Sequence, residues 1–274
     1  MKLLVTGGTG FIGGHFINET PKEMEIYAIR RNKNKTKVKI NRKVIWLDKD
    51  LHSLSSKDLK GIDSIIHFAT TGVSPQKASW EDLYNINVKG TLLLLRNAAE
   101  AEVKRVLIAG SYFEYGFSAN KYKYIPVTAP LLPISPYGSS KAAAFEMAYA
   151  FCLNAKLPLF YNRIFSAYGE GQYYENLFPS LKNAANNGED FTIKNSNYER
   201  DFIEIKQVVK MFLDDLKIDI TDNLKPSIKN ICSGKGTSIY EFSNYWWKTW
   251  KAKGELKFIN STDKNDLKRF VGEV

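Results

Sequence analysis

The chain has 274 residues, 44% of them apolar and 25% charged, with a formal net charge of +10. That length supports a sizeable core in one large α/β domain with a smaller appendage, and the balance argues against a disordered or fibrous chain. No apolar run approaches the ~20 residues of a bilayer span; Cys152 and Cys232 lack C-x-x-C spacing, so neither a disulfide framework nor a zinc site is expected.

In chain order, Leu3–Thr6 reads as an apolar strand running into Gly7-Gly8-Thr9-Gly10-Phe11-Ile12-Gly13. Glycines at 7 and 10 permit a sharp turn and a close approach to a pyrophosphate. Gly13 permits tight helix–strand packing, and the helix that follows presents its N-terminal N–H groups to an anion. A strand before and a helix after make this glycine spacing a dinucleotide-binding signal. Only three apolar residues precede the turn, too few for the core of a signal peptide, so a cytoplasmic setting is the expectation.

Further strands are predicted at Glu25–Ile29, Lys43–Leu47, Ser64–Phe68, Arg105–Ala109 and Leu159–Ile164. Helices are predicted at Gly13–Asn18, Leu83–Ala101 and Ser139–Leu153. Apolar strands alternating with helices imply a doubly wound parallel sheet covered on both faces, a Rossmann-type α/β fold. Composition shifts near Ser166 toward glycine, asparagine and aromatic residues. The expected division is therefore a dinucleotide-binding domain over 1–165 and a smaller mixed substrate region over 166–274, part of it returning to the first domain near Asp201–Val209. The dense basic stretch Arg30 to Lys43 lacks an aromatic–basic platform, so nucleic acid is not an expected partner. An anionic cofactor and substrate are an alternative use for the charge.

The chemistry is expected mid-chain. Tyr137 and Lys141 stand four apart at the start of a helix, on one face. A free tyrosine titrates near 10, and a lysine one turn away with a positive nicotinamide would favour the phenolate. Ser111, at the carboxyl end of a strand, would stand in the crevice where α/β sheets bind ligands.

Seven segments in order carry a family resemblance: Thr6 to Gly13, His67-Phe68-Ala69, Asn87 to Thr91, Ser111 to Gly116, Tyr137 to Lys141, Tyr168 to Gln172, and Arg200-Asp201-Phe202-Ile203. Together they resemble the short-chain dehydrogenase/reductase superfamily, in its extended branch that acts on nucleotide sugars. The resemblance implies a catalytic triad of Ser111, Tyr137 and Lys141, with Lys141 also holding the cofactor ribose. It places the cofactor along Gly7, Thr9, Gly10, Phe11, Ile12 and Gly13, with Arg30, Arg31, Asp50 and Leu51 at its adenosine end. Phe68, Ala69, Thr70, Asn87 and Ile164 complete that cleft. On the substrate side it implies Ser111, Tyr112, Ser166, Asn176, Leu177 and Arg200, the last gripping a diphosphate. It also implies a homodimer through a four-helix bundle of helices 83–101 and 139–153, and no metal.

Departures from the family pattern narrow the expectation. Where many members carry an aspartate after the second strand, this chain has Arg30 and Arg31. A carboxylate about 4 Å from a 2′-phosphate would be repelled by roughly 4 kcal/mol at an effective dielectric near 20, whereas arginine attracts and hydrogen-bonds it. NADP(H) is therefore favoured, with NAD(H) the alternative. Dehydratases need an Asp-Glu pair directly after the catalytic hydroxyl residue, and here Tyr112 and Phe113 stand there. Glu114 would point away from Phe113's face in an extended segment. Ser166 replaces an asparagine that often contacts the diphosphate. The expected activity is NADPH-dependent reduction of a nucleotide-linked 4-keto sugar, with an NAD-dependent 4-epimerase as the alternative. A non-catalytic dinucleotide sensor would commonly lose the tyrosine or the lysine, and both are present.

Overall fold

A computed structural model describes residues 1–31, 36–73, 76–220, 225–260 and 267–274; residues 32–35 of the basic stretch lie outside it. Its centre is a seven-stranded sheet. The strands are β1 (Lys2–Thr6), β2 (Glu25–Arg30), β3 (Ile45–Asp48), β4 (Ser64–His67), β5 (Arg105–Ser111), β6 (Leu159–Ile164) and β10 (Ser227–Ile231), ordered β10-β6-β5-β4-β1-β2-β3 with every neighbouring pair parallel. The order reverses between β1 and β4, and the crevice at their carboxyl ends is where such sheets bind ligands.

The strands lack polar alternation because both faces are covered. Leu3, Leu4 and Val5 of β1 are each fully buried, and burial of each contributes roughly 1.5–3 kcal/mol. Leu4 faces a core with Leu94, Leu95 and Phe145, from α3 (Thr91–Glu100) and α4 (Pro136–Asn154). Leu3 and Val5 face the other, with Phe16 of α1 (Phe11–Glu19) and Val208 and Phe212 of α6 (Ile205–Leu216). Pro136 opens α4 and Ser135 caps it, its Oγ accepting the Gly138 N–H at 3.1 Å.

The predicted helix Leu83–Ala101 is not continuous. A short α2 (Trp80–Leu83) passes into a π-helical stretch, Tyr84–Gly90, before α3 begins. The widened turns surround Asn87, a common location for this geometry near functional sites. β5 runs two residues beyond its expected end, so that Ser111 is its last residue.

After β6 the chain leaves the sheet. β7 (Ser166–Tyr168), β9 (Glu199–Glu204), β11 (Gly236–Ser238) and β13 (Arg269–Phe270) form a mixed four-stranded sheet around β9. α5 (Leu177–Asn187) and α7 (Ile239–Thr249) pack beside it, with a two-stranded parallel pair of β8 (Phe191–Lys194) and β12 (Leu256–Ile259). The return to the large sheet is made by α6 and β10, of which only the beginning of α6 falls within the expected stretch Asp201–Val209. Among the described residues no helix is long and apolar enough to cross a membrane, and no group of three His, Cys, Asp or Glu could hold a metal ion.

Candidate active site

A cleft of about 1080 Å³ runs along the carboxyl ends of β1, β2, β4, β5 and β6 and is closed from the other side by β7, α5, β9 and α7. Gly7 (φ +70°) turns the chain sharply after β1, and a Cβ there would approach the Ala69 backbone nitrogen to 2.7 Å. At Gly13 a Cβ would drive into the Gly7 carbonyl oxygen. Gly10, as N-cap of α1, has no side chain to satisfy the first amides, and no acidic residue lies in that first turn. Thr9, Phe11 and Ile12 also line the cleft. A close backbone cradle below an open helix N-terminus fits the pyrophosphate of a dinucleotide.

Toward the end of β2 the lining is cationic: Arg30, Arg31, Lys37 and Lys49, with Asp50, Leu51 and His52. Arg30 is held in place, its Nε donating to Asp48 at 2.7 Å and its guanidinium lying 5.2 Å from the Trp46 ring centroid. Asp50 uses Oδ1 to accept the N–H groups of His52 and Ser53, and hydrogen bonds with Ser53 hold its carboxyl below the usual value.

The middle of the cleft brings together Ser111, Tyr137 and Lys141. Ser111, Thr70 and Tyr137 line the same stretch of the cleft. Lys141, one turn further along α4, is buried and donates from Nζ to the Ala109 carbonyl oxygen at 2.6 Å. Burial lowers its pKa, opposed by the charge of Glu114. The expected lowering of Tyr137 is that of Lys141 together with the positive nicotinamide of an oxidised cofactor. In the protein by itself burial first, and the Glu114 charge second, push Tyr137 above a free tyrosine.

Glu114 was expected to turn away from the face of Phe113, and it does. Its carboxylate is fully buried behind β5 and ion-paired with Arg163 at 2.7 Å. No carboxylate follows Ser111 on the cleft side, where Tyr112 and Phe113 stand stacked at 4.4 Å between ring centroids.

Three other residues differ from expectation in what they do. Asn87 does not line the cleft; it is buried one layer behind. Its Oδ1 accepts from Thr70 Oγ1 at 3.0 Å and from Thr71 N–H at 2.9 Å, and its Nδ2 donates to Ser140 Oγ at 2.9 Å. The π-helical widening delivers this amide to the loop after β4, so Asn87 shapes the cleft wall without forming its surface. Phe68 reaches the cleft but mainly packs inward on Phe16 and Phe212. Arg200 lines the cleft while donating to the carbonyls of Glu199, Lys268 and Leu267, which fastens the C-terminal segment to β9.

Ala69, Ile164, Ser166, Asn176 and Leu177 also line the cleft. Asn176 is the N-cap of α5 and makes no side-chain cap bond. Sequence reasoning missed the ring-lined wall of Tyr168, Phe178, Phe202 and Phe242, in which Phe202 stacks on Phe242 at 3.9 Å. It also missed Gln172, whose Oε1 is buried without a partner. Gln172 stood inside the quoted Tyr168–Gln172 segment; the rings carried no spacing that could have grouped them.

Comparison with known proteins places this arrangement in a family. Residues 3–217 match the model of the NAD dependent epimerase/dehydratase family, and the chain belongs to it. A UDP-glucose 4-epimerase from Lactobacillus helveticus is 28% identical over 270 residues, covering 88% of this chain and 79% of that protein. The human dTDP-D-glucose 4,6-dehydratase is 30% identical over 231 residues, covering 79% of this chain and 65% of that one. Among solved structures, MoeE5 in complex with UDP-glucuronic acid and NAD superposes with a TM-score of 0.86 at 26% identity, over 100% of this chain and 90% of that chain.

Proposed function

We propose that this protein reduces a nucleotide-linked 4-keto sugar, with NADPH as the favoured cofactor. The carrying observation is that Ser111, Tyr137 and Lys141 share one cleft with a cationic adenosine end built around Arg30. A bound nicotinamide supplies the hydride. As C4 receives it, Tyr137 gives its phenolic proton to the C4 oxygen, which Ser111 orients by hydrogen bonding. Lys141, four residues from Tyr137 on the same helical face, offers an ammonium to the ribose side and keeps a proton source beside the phenol. Asn176 at the open end of α5 and Arg200 on β9 face the diphosphate. The nucleotide lies along the ring-lined wall, and Ser166 contributes one hydroxyl.

Tyr112 and Phe113 support a sugar with few hydroxyls at that edge, such as a 6-deoxy sugar of a surface glycan. They disfavour dehydration, which needs a carboxylic acid to protonate the leaving hydroxyl. Helices 83–101 and 139–153 of two copies would form the four-helix bundle of a homodimer; a sedimentation mass near the 31.2 kDa of one chain contradicts it.

The competing reading is an NAD-dependent nucleotide-sugar 4-epimerase. It is favoured by the Lactobacillus relative and by the NAD in the MoeE5 complex. Titration of cofactor-stripped protein with NADPH and NADH separates the two, together with mass spectrometry of whatever cofactor co-purifies. An exchangeable site that prefers NADPH, with turnover of a 4-keto nucleotide sugar, is expected. Retained NAD and no NADPH preference makes the epimerase the better reading. Tyr137→Phe should keep cofactor affinity and lose on the order of 10²–10⁴ in kcat.

A further inference from the structure

Arg200 enters the cleft from β9 already held by other parts of the chain. Of its five N–H groups, those of Nη1 donate to the carbonyls of Glu199 at 2.8 Å and Lys268 at 3.1 Å, and one of Nη2 donates to the Leu267 carbonyl at 3.3 Å. Two consecutive carbonyls thus take the outer end of the guanidinium. Left over are the Nε–H and the second Nη2–H, which stand side by side on one edge, a fork that meets two oxygens of a phosphate. The flat faces are held as well: the guanidinium carbon lies 5.3 Å from the centre of the Phe270 ring and 5.5 Å from that of Tyr198.

The segment that holds Arg200 is itself pinned. Phe270 stands directly opposite Arg200 in the parallel pairing of β13 with β9, so both side chains leave the same face of that sheet. The Val271 carbonyl accepts the Ile125 N–H at 2.8 Å, and the Ile125 carbonyl accepts the Glu273 N–H at 3.0 Å. The Gly272 N–H reaches the buried Asp201 carboxylate at 3.3 Å. On its other side Phe270, itself buried, backs the rings that follow Ser111. It stands edge-on to Tyr112 at 5.0 Å and lies 6.4 Å from Phe113, which is edge-on to the Tyr137 ring at 6.1 Å.

We propose that the C-terminal segment 267–270 is a positioning element for the substrate, with Phe270 as its central side chain. It aims the free edge of Arg200 at a diphosphate and sets that grip at a fixed span from Tyr112, Phe113 and Tyr137. This rests on the nucleotide-sugar reading of the cleft and is independent of whether the sugar is reduced or epimerised. An arginine on a flexible stem must be ordered as it binds, and one ordered beforehand takes its anion at a lower entropic cost.

The test starts on the wild-type protein saturated with NADPH or NADH, whichever binds more tightly, and titrated with UDP, dTDP, CDP and GDP. With arginine labelled with nitrogen-15, the Arg200 Nε–H resonance is assigned by its loss in Arg200→Gln. It should show the heteronuclear NOE of an ordered backbone before any nucleotide is added, and move when a diphosphate binds. In Phe270→Leu that NOE should fall and the diphosphate should bind about tenfold more weakly, with cofactor affinity unchanged. In an Arg200→Gln background the same leucine should weaken binding no further. Phe270→Tyr keeps the ring and should bind as the wild type does. A mobile Arg200 Nε–H in the wild-type protein overturns the proposal without any variant having to fold. So does a folded Phe270→Leu of undiminished affinity, or losses at 200 and 270 that simply add. If none of the four diphosphates binds the wild type, the nucleotide-sugar reading falls and the proposal with it. Binding without turnover of any 4-keto sugar counts against the reductase alone.

Discussion

On the sheet side of the cleft a ligand meets backbone: the turn at Gly7, the open amides of α1, and the strand ends at Ala69 and Ser111. On the opposite side it meets rings, with Tyr168, Phe178, Phe202 and Phe242 packed tilted, edge to face or stacked between α5, β9 and α7. The first wall tolerates no added atom, since its shape is set by what glycine lacks. The second is made of side-chain volume, which can be exchanged for another shape while the fold persists. A fixed wall suits a cofactor common to many reactions, and an exchangeable wall suits the varied half of a nucleotide sugar. If that division holds, changes on one side should leave binding on the other untouched.

The largest effect tests the rigidity of the sheet side. His67 at the end of β4 is buried between Thr6 Oγ1 at 2.6 Å and Thr91 Oγ1 at 2.9 Å, and burial pushes it from 6.5 down to about 3. Its folded value is depressed, so the unfolded chain binds a proton first, and stability is lost as pH falls from 6.5 toward 3. The full loss is about 5 kcal/mol. Urea unfolding between about pH 7 and pH 4 should show this slope in the wild type and a flatter one in His67→Gln. Equal slopes would mean that the chain from Thr6 to Thr91 is not what acid breaks.

Next in size is Phe242→Ala on the ring side. Removing a buried ring that stacks on Phe202 should cost about 3 kcal/mol of stability and raise KM for the nucleotide sugar. The dissociation constant for NADPH should stay unchanged; a parallel rise in both would break the two-wall comparison.

What the sequence disclosed follows the same line. The glycine turn, the alternation of strand and helix, and the Tyr137–Lys141 pair were legible because each is a local spacing; Ser111 joined the pair through the end of its strand and the family resemblance. The ring wall was not, because residues 168, 178, 202 and 242 meet only after β7, β9 and α7 have folded around one another. Asn87 was placed in the right neighbourhood but in the wrong layer, since nothing in the pattern of 83–101 announces a π-helical turn. Tyr137 was expected to be acidified by Lys141 together with a positive nicotinamide, and burial acts in the opposite direction. Burial is a tertiary quantity, and Glu114, which accepts the Ser111 N–H from behind β5, was read only for what it could not do.

Gly13→Ala is a sharper probe of the backbone wall. The added methyl has no space against the Gly7 carbonyl oxygen, so α1 must move away from β1. Overpacking of this kind costs about 2 kcal/mol, and withdrawal of the α1 amides should weaken cofactor binding by more than tenfold by calorimetry. The nucleotide product, titrated without cofactor, should bind as before.

The smallest change concerns the boundary of the two walls, where a side chain does a backbone's work. Arg30, at the adenosine end, has its orientation fixed on two sides, by Asp48 and by Trp46. That arrangement can serve two ends. If the guanidinium reads a 2′-phosphate, Asp48 aims the fork, and Arg30→Ala should lower the ratio of NADPH to NADH affinity by about tenfold, ~1.4 kcal/mol. If Arg30 only stacks along the adenine, both affinities fall together and the ratio stays put. A changed ratio makes the cofactor wall specific through a side chain, and hence as exchangeable there as the ring wall opposite. An unchanged ratio leaves the sheet side a purely backbone surface, and the NAD of the MoeE5 complex becomes the better guide to what this cleft holds.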